Sequence, residues 1–445
     1  MHTTAHRVVI IGGGFAGLNV AKGLKRAPAE VVMLDRRNHH VFQPLLYQVA
    51  TGALSPANIS APLRAVLSGQ PNATVLMEEV VDFDVANRAV LTKGRSIPYD
   101  TLVVAAGAGT SYFGHDEWAA HAPPLKNIED AIEIRRRVLN AFEQAERESD
   151  PERVREWLTF VVVGGGPTGL ELAGALCEIS RFTLCKEFRR IDPTQARVIL
   201  VEAAPRVLPP YPEDLSAKAR QALEEMGAEV RTGWAVEEIR SGAVALKRGD
   251  ECETLLARTI LWGAGVKASP LGKKLAAAAG AETDRGGRVV VTSDCSLPGH
   301  PEIFVLGDLA HFKGADGQPL PGLAPVAMQQ GHYVAARIAA RLKGRELKPF
   351  KYFDKGSMAT IGRRAAVAQM GRLHLSGTVA WLAWLFIHLM YIVSFGNRVL
   401  VLIQWGWSYF TRGRSARLIT GRWEAEGQAP PTPAASSRRL HAVVA

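Results

Sequence analysis

Residues 8–24 read VVIIGGGFAGLNVAKGL. A short apolar run, Val8–Ile11, ends in glycines and passes into residues with helical spacing, so the stretch reads as strand, tight turn and helix. Gly12, Gly14 and Gly17 keep the GxGxxG spacing. A turn without Cβ atoms lets a pyrophosphate approach the backbone, where amides at a helix start meet its charge. The next strand, AEVVMLDRR, ends at Asp35, 18 residues beyond Gly17, close to the roughly 20 expected of a carboxylate that binds a ribose.

The device occurs twice. FVVVGGGPTGLELAGAL, residues 160–176, repeats it with Gly164, Gly166 and Gly169, and ARVILVE supplies the acid Glu202. That acid lies 33 residues past Gly169, because EISRFTLCKEFRRIDPTQ lengthens the helix or adds a loop. A carboxylate there accepts hydrogen bonds from a free ribose and repels a 2′-phosphate, which favours NADH over NADPH. Arg206, four residues on, could soften that preference.

Two dinucleotide sites in one chain suit one permanently held cofactor and one that exchanges. A flavin is the natural resident, FAD at the first site with NADH visiting the second. Its ribityl chain needs a distant group, for which FVLGDLA offers Gly307 and Asp308. The strand-like runs YDTLVVAAGAG and PEIFVLGDLA flank the whole second motif, so one nucleotide domain is inserted into another.

The expected fold class is α/β: two nested Rossmann-like dinucleotide-binding domains plus a C-terminal membrane-associating helical region. The FAD domain takes 1–125 and 276–348, the NADH domain 126–275 and the C-terminal region 349–423. The Pro-, Ala- and Ser-rich tail 424–445 is expected to be disordered.

At 445 residues, 47% hydrophobic and 22% charged, the chain suits several globular domains. Its net charge of +10 favours an anionic partner. Cys177, Cys185, Cys252 and Cys295 show no CxxC or zinc spacing, so a reduced compartment and no metal are expected. The first residues lack a secretory-signal pattern, which points to the cytoplasmic side.

VAWLAWLFIHLMYIVS, residues 379–394, is apolar but only 16 residues long, whereas a bilayer span needs about 20. A second apolar run, VLVLIQWGWSYF, is rich in the aromatic rings that favour lipid headgroup level. Every charged side chain from Lys355 to Trp423 is basic. Basic residues between long apolar runs suit an anionic lipid surface rather than nucleic acid.

The nested pair with its late GD motif resembles the flavoproteins with two dinucleotide-binding domains. HHVFQPLLYQVATGALSPANISAPLR and DKGSMATIGRRAAV further resemble the type II NADH dehydrogenases, single-subunit NADH:quinone oxidoreductases. The resemblance implies FAD, NADH, a membrane quinone and attachment to one membrane face in the respiratory chain without proton pumping. It places Glu171 near the meeting point of nicotinamide, flavin and quinone; from the sequence alone, Glu171 is a carboxylate in the early turns of a helix. The family's AQxxxQ pattern reads APVAMQQG here. Gln329 matches, while Pro325 replaces the first glutamine and removes one donor from a two-glutamine clamp.

Pro44 and Gln48 fall in matching segments as flavin- or quinone-pocket residues, and Lys355 joins Glu171 and Gln329 as a catalytic candidate. His39 and His40 read as loop residues. A homodimer is compatible with all of this. The rival readings are a sulfide:quinone oxidoreductase, for which no suitable cysteine pair is evident, and a binding protein that senses NADH and FAD.

Overall fold

The structure, a computed structural model, describes residues 5–420; the expected disordered tail lies outside the described residues. Val8, Val9 and Ile10 are fully buried, as β-branched residues are when a parallel strand is covered on both faces. His6–Ile11 sits inside a six-stranded sheet ordered Ser296–Leu297, His300–Val305, Thr101–Val104, His6–Ile11, Ala29–Asp35, Ala73–Met77. All its pairings are parallel except the Ser296–Leu297 edge.

A second, wholly parallel sheet runs Glu229–Thr232, Arg197–Glu202, Thr159–Val163, Thr259–Trp262. Each sheet has a three-stranded antiparallel companion. These are Val80–Asp84, Ala89–Thr92, Ser96–Pro98 and Ala235–Arg240, Ala243–Arg248, Glu251–Leu256.

Outgoing and returning chain meet in a two-strand bridge, Ala108–Thr110 against Val266–Ala268. The next helix, Pro270–Ala279, packs Leu275 into the core under the first sheet with Val9, Val32 and Val305. The return expected at residue 276 therefore cuts a helix, and the bridge puts the crossing several residues earlier. Helix Ile128–Arg147, opened by an Asn127–Asp130 capping box, buries Ile134, Val138 and Phe142. The same core holds Leu46 and Tyr47 with Leu170 and Leu172, so the two nucleotide units share it.

The C-terminal region is not helical from its start. Ser357–Gly362, Ala365–Met370 and Leu373–Ser376 first form a three-stranded sheet, which packs on helix Pro167–Glu178. The approach is so close that a Cβ on Gly174 would lie 1.6 Å from the carbonyl oxygen of Ile361.

Two helices follow, Gly377–Tyr391 and Phe395–Thr411. The first buries Ala380 and Trp384 and exposes Val379, Leu382, Phe386 and Met390; the second exposes Phe395, Ile403, Trp407 and Phe410. At 15 and 17 residues they extend about 22 and 26 Å, short of the ~30 Å hydrocarbon core. Among the described residues, no helix is long and apolar enough to cross a membrane.

His388 does not charge the first helix. It stacks on Trp384 at 4.1 Å, its Nδ1 lies 2.7 Å from the Trp384 carbonyl, and burial holds its pKa down at about 4.

The segment after the second helix straps back over the nucleotide units. Buried Arg414 pairs with Glu178 at 2.7 Å and donates to the Thr51 carbonyl. Arg417 pairs with Glu187, and Ala416 exchanges backbone contacts with Gly52 and the Arg135 guanidinium. A buried pair of this kind holds a geometry rather than adding large net stability.

Candidate dinucleotide and redox site

The two glycine turns are near copies. Gly12 and Gly164 have φ of +97° and +107°, and an added Cβ would lie 2.4 Å from the Ala105 oxygen or 2.7 Å from the Ala264 nitrogen. Only glycine meets both demands. A Cβ on Gly17 or Gly169 would come within 2.0 or 1.8 Å of the first glycine's carbonyl oxygen, which keeps each helix start tight against its turn. Gly14 and Gly166, the residues before the two helices, would meet nothing within 4 Å. Each turn thus presents an open face at a helix N-terminus, where backbone amides can take an anion.

Each acid closes its turn in the same manner. Asp35 accepts from the amides of Gly13 at 2.6 Å and Arg37 at 2.8 Å. Glu202 accepts from Gly165 at 2.5 Å and Ala204 at 2.7 Å. The extra length before Glu202 is a π-turn, Ile179–Thr183, and a short 3-10 turn, Pro193–Gln195. Arg206 is engaged by the carbonyls of Tyr211 and Pro209, at 2.6 and 2.8 Å, in the loop beyond Glu202.

The turns differ in what caps the middle glycine's carbonyl. Gly165 receives the backbone N–H of Leu208 at 2.8 Å. Gly13 receives the imidazole Nδ1 of His40 at 2.9 Å. His40, expected in a loop, lies in strand His39–Val41 and is 2% exposed. Its Nε2 is buried without a hydrogen-bond partner, and burial, opposed by the bond to Gly13, lowers its pKa.

Gly307 and Asp308 open a 3-10 turn after the buried strand His300–Val305. The Gly307 amide donates to Gln330 Oε1 at 2.7 Å. Burial raises the Asp308 carboxyl while Lys126 and Arg288 oppose the rise; burial likewise lowers Lys126 against the pull of Asp308 and Asp130. Neither charged end has a hydrogen-bond partner among the described residues. A half-buried cation and anion that feel each other electrostatically beside the Gly307 turn fit the hydroxyls and phosphates of a flavin nucleotide.

Glu171 stands on the second nucleotide helix. Burial drives its carboxyl pKa well above the usual range, opposed by the backbone N–H of Thr360 from the C-terminal sheet. Glu171 also reaches the hydroxyls of Tyr47 and Tyr211 electrostatically. A carboxyl whose pKa is raised in this way is able to hold and release a proton.

Three other expected residues have their polar ends occupied by protein. Gln329 forms a two-way amide bond with the backbone of Phe353, at 2.9 and 3.0 Å. Exposed Lys355 donates to Tyr391 Oη at 2.9 Å. Gln48 is buried between Trp405 and Tyr47. Pro44 rigidifies the 3-10 turn Gln43–Leu45. Gln330, Lys126 and Tyr47 were missed in the sequence, and His40 was read as a loop residue. Gln330 and Tyr47 sit next to residues that were singled out; Lys126 gave no local signal. All four cysteines are free, and the described residues contain no cluster suited to a metal.

Twin cradles on nested parallel sheets define a pyridine-nucleotide flavoprotein. Residues 6–331 match the family model for pyridine nucleotide-disulphide oxidoreductases, and residues 355–415 match the NDH2 C-terminal domain. The chain is 47% identical over 423 residues to the type II NADH:quinone oxidoreductase Ndh of Mycobacterium tuberculosis, covering 93% of this chain and 90% of that one. It is 30% identical over 366 residues to the enzyme of that type from Staphylococcus haemolyticus, covering 81% and 89%. The solved structure of NDH2 from Plasmodium falciparum in complex with NADH superposes with a TM-score of 0.84 at 18% identity, covering 94% of this chain and all of that one. A sulfide:quinone oxidoreductase from Aquifex aeolicus shares the fold at a TM-score of 0.70 and 17% identity. The chain belongs to the type II NADH:quinone oxidoreductases.

Proposed function

We propose that this chain carries reducing equivalents from NADH through resident FAD to a membrane quinone, and that the two cradles divide the work. Gly12, Gly14, Gly17 and Asp35 hold the adenosine diphosphate half of FAD, while Gly307 and Asp308 hold the ribityl side with help from Lys126. Gly164, Gly166, Gly169 and Glu202 hold NADH. When bound, the flavin accepts two electrons from the nicotinamide and yields them to the quinone.

The chain's own contribution is position and proton control. Amides at two helix starts fix the two diphosphates, turning an encounter into an aligned reaction. Glu202 repels a 2′-phosphate, and Arg206, engaged by two carbonyls, does not offset that repulsion, so NADH is preferred to NADPH. Glu171, its pKa raised by burial, supplies a proton near the quinone. Pro44 shapes the turn beside it, and Gln329 and Lys355 tether the segment from Phe353 to Lys355 to the helices on either side. Electrons enter at one nucleotide site and leave at the membrane side, and no transmembrane charge movement is involved.

The apolar faces of Gly377–Tyr391 and Phe395–Thr411 lie on the cytoplasmic leaflet, with the nearby arginines on anionic headgroups at roughly 1 kcal/mol each. A homodimer is compatible with this placement.

The observation that carries this reading is the position of Glu171, on the helix that starts at one cradle and packs against the C-terminal sheet. Glu171→Gln should keep the protein yellow and cut quinone-dependent turnover at least tenfold. Unchanged kinetics would remove Glu171 from the chemistry. Sustained NADH consumption with a soluble quinone separates the enzyme from a redox sensor, which would bleach once and stop.

A further inference from the structure

Trp405 Nε1, on the second C-terminal helix, donates to Gln48 Oε1 at 2.7 Å, and Gln48 Nε2 donates to Tyr47 Oη at 2.9 Å. Gln48 and Tyr47 are both buried, at 8% exposure. An indole N–H can only donate, so chemistry decides which way the Gln48 amide faces. Its oxygen must meet Trp405, and its nitrogen must therefore meet Tyr47. The Tyr47 oxygen is then an acceptor, and its own proton has to leave in another direction. That proton has no acceptor among the described residues.

The surroundings show where it can go. The helix Leu46–Ala50 packs on the second nucleotide helix, which carries Glu171. The Tyr47 ring meets the edge of Trp384, itself stacked on His388. Several charged or titratable groups face this spot. Glu178 and Arg414 pair with each other at 2.7 Å, and Arg414 also donates to Thr51. His388 is held neutral above about pH 4 by burial. Tyr211 faces Glu171 from the opposite loop, and burial raises its hydroxyl. Lys355 is bonded to Tyr391. Burial, then the neighbouring Glu171, raises the Tyr47 hydroxyl, which keeps it a donor.

We propose that Trp405, Gln48 and Tyr47 form a directed hydrogen-bond chain from the membrane-side helix toward the neighbouring helix that carries Glu171, and that Tyr47, whose proton is unpaired among the described residues, is a positioning residue that turns to the Glu171 carboxylate whenever that group gives up its proton. The proposal rests on the role of Glu171 given above. A phenol whose oxygen already accepts a hydrogen bond donates more strongly. A bond to the charged form of a carboxyl lowers its pKa. The chain therefore offsets part of the burial that holds Glu171 neutral, and brings its release of a proton nearer to the working pH. It also makes that release depend on the seating of Trp405.

The test uses the full-length, flavin-loaded protein in stopped flow, with flavin bleaching by NADH and reoxidation by a short-chain quinone measured separately against pH. Glu171→Gln should abolish the pH inflection of reoxidation. Tyr47→Phe should move it upward by about one unit, with flavin content and NADH bleaching unchanged. Trp405→Phe should move it the same way by less, and the double variant no further than Tyr47→Phe alone. Gln48→Met breaks the same link should Trp405→Phe lose flavin. An unmoved inflection in Tyr47→Phe, with Glu171→Gln abolishing it, overturns the chain and leaves the role of Glu171 standing. An inflection that survives Glu171→Gln overturns both. A shift with Tyr47→Phe but none with Trp405→Phe or Gln48→Met overturns the part assigned to the membrane-side helix.

Discussion

The two nucleotide cradles share their turns, their glycine clashes and their closing acids, yet they are built from very different stretches of chain. The second comes mostly from a short run, Gly164 to Gly169, Glu202 and Leu208 over the middle carbonyl, with Ala264 closing against Gly164 from farther along. The first gathers His40, Gly307 with Gln330, and the helix Ala324–Arg341, where a Cβ on Gly331 would lie 2.5 Å from the Ala16 oxygen. A site enclosed by distant segments exchanges its occupant only when those segments part, and they form part of the main core. The second is closed by a loop that is local in sequence, with Leu208 buried at its tip. The same phosphate-binding physics is thereby built once from distant segments and once from local chain, a difference that suits the proposed split between a resident and a visiting cofactor.

The largest expected effect comes from filling the tight helix start. Gly17→Val should give a colourless or unfolded protein, whereas Gly169→Val should stay yellow and fail to bleach with NADH. Absorbance of the purified variants checks both, and equal flavin loss in the two would erase the distinction. Removing charge is milder. Glu202→Gln should weaken NADH about tenfold, the cost of a charge-assisted hydrogen bond, and narrow the gap to NADPH; Asp35→Asn should instead slow flavin reconstitution. Titrations with both nucleotides distinguish the two acids.

The smallest effect concerns pH. His40 has a folded pKa below its unfolded value near 6.5, so the unfolded chain binds the extra proton first. Its contribution is whole above about 6.5 and is lost as pH falls through the lower folded pKa. Flavin release should therefore rise in mild acid, and His40→Gln, still able to donate to Gly13, should flatten that rise. The second cradle has a backbone amide in the equivalent place and should show no such dependence in NADH affinity.

The glycines and acids were legible because turn, helix start and strand end are local, and their spacing survives in the sequence. So were the nested order and the short apolar C-terminal runs. The partners of those residues were not. Gln48 meets Trp405, and Gln330 meets Gly307, across chain separations that carry no period. Gln329 shows the same limit: its position was readable, but the Phe353 backbone that occupies its amide was not. His40 was read as loop because its burial depends on distant contacts such as the Phe15 ring, which meets it edge-on. The three-stranded sheet before the apolar helices was hidden behind their stronger signal.

The contact of Gly174 with Ile361 has a consequence for anyone cutting this protein into pieces. No side chain separates the second nucleotide helix from that strand, so backbone lies on backbone and the two travel as one solid. Severing the chain ahead of Ser357 would strip that helix to bare main chain along a groove shaped for a neighbour. The second nucleotide unit is therefore no portable module, and any force on the C-terminal hairpin is felt directly by the shaft that bears Glu171.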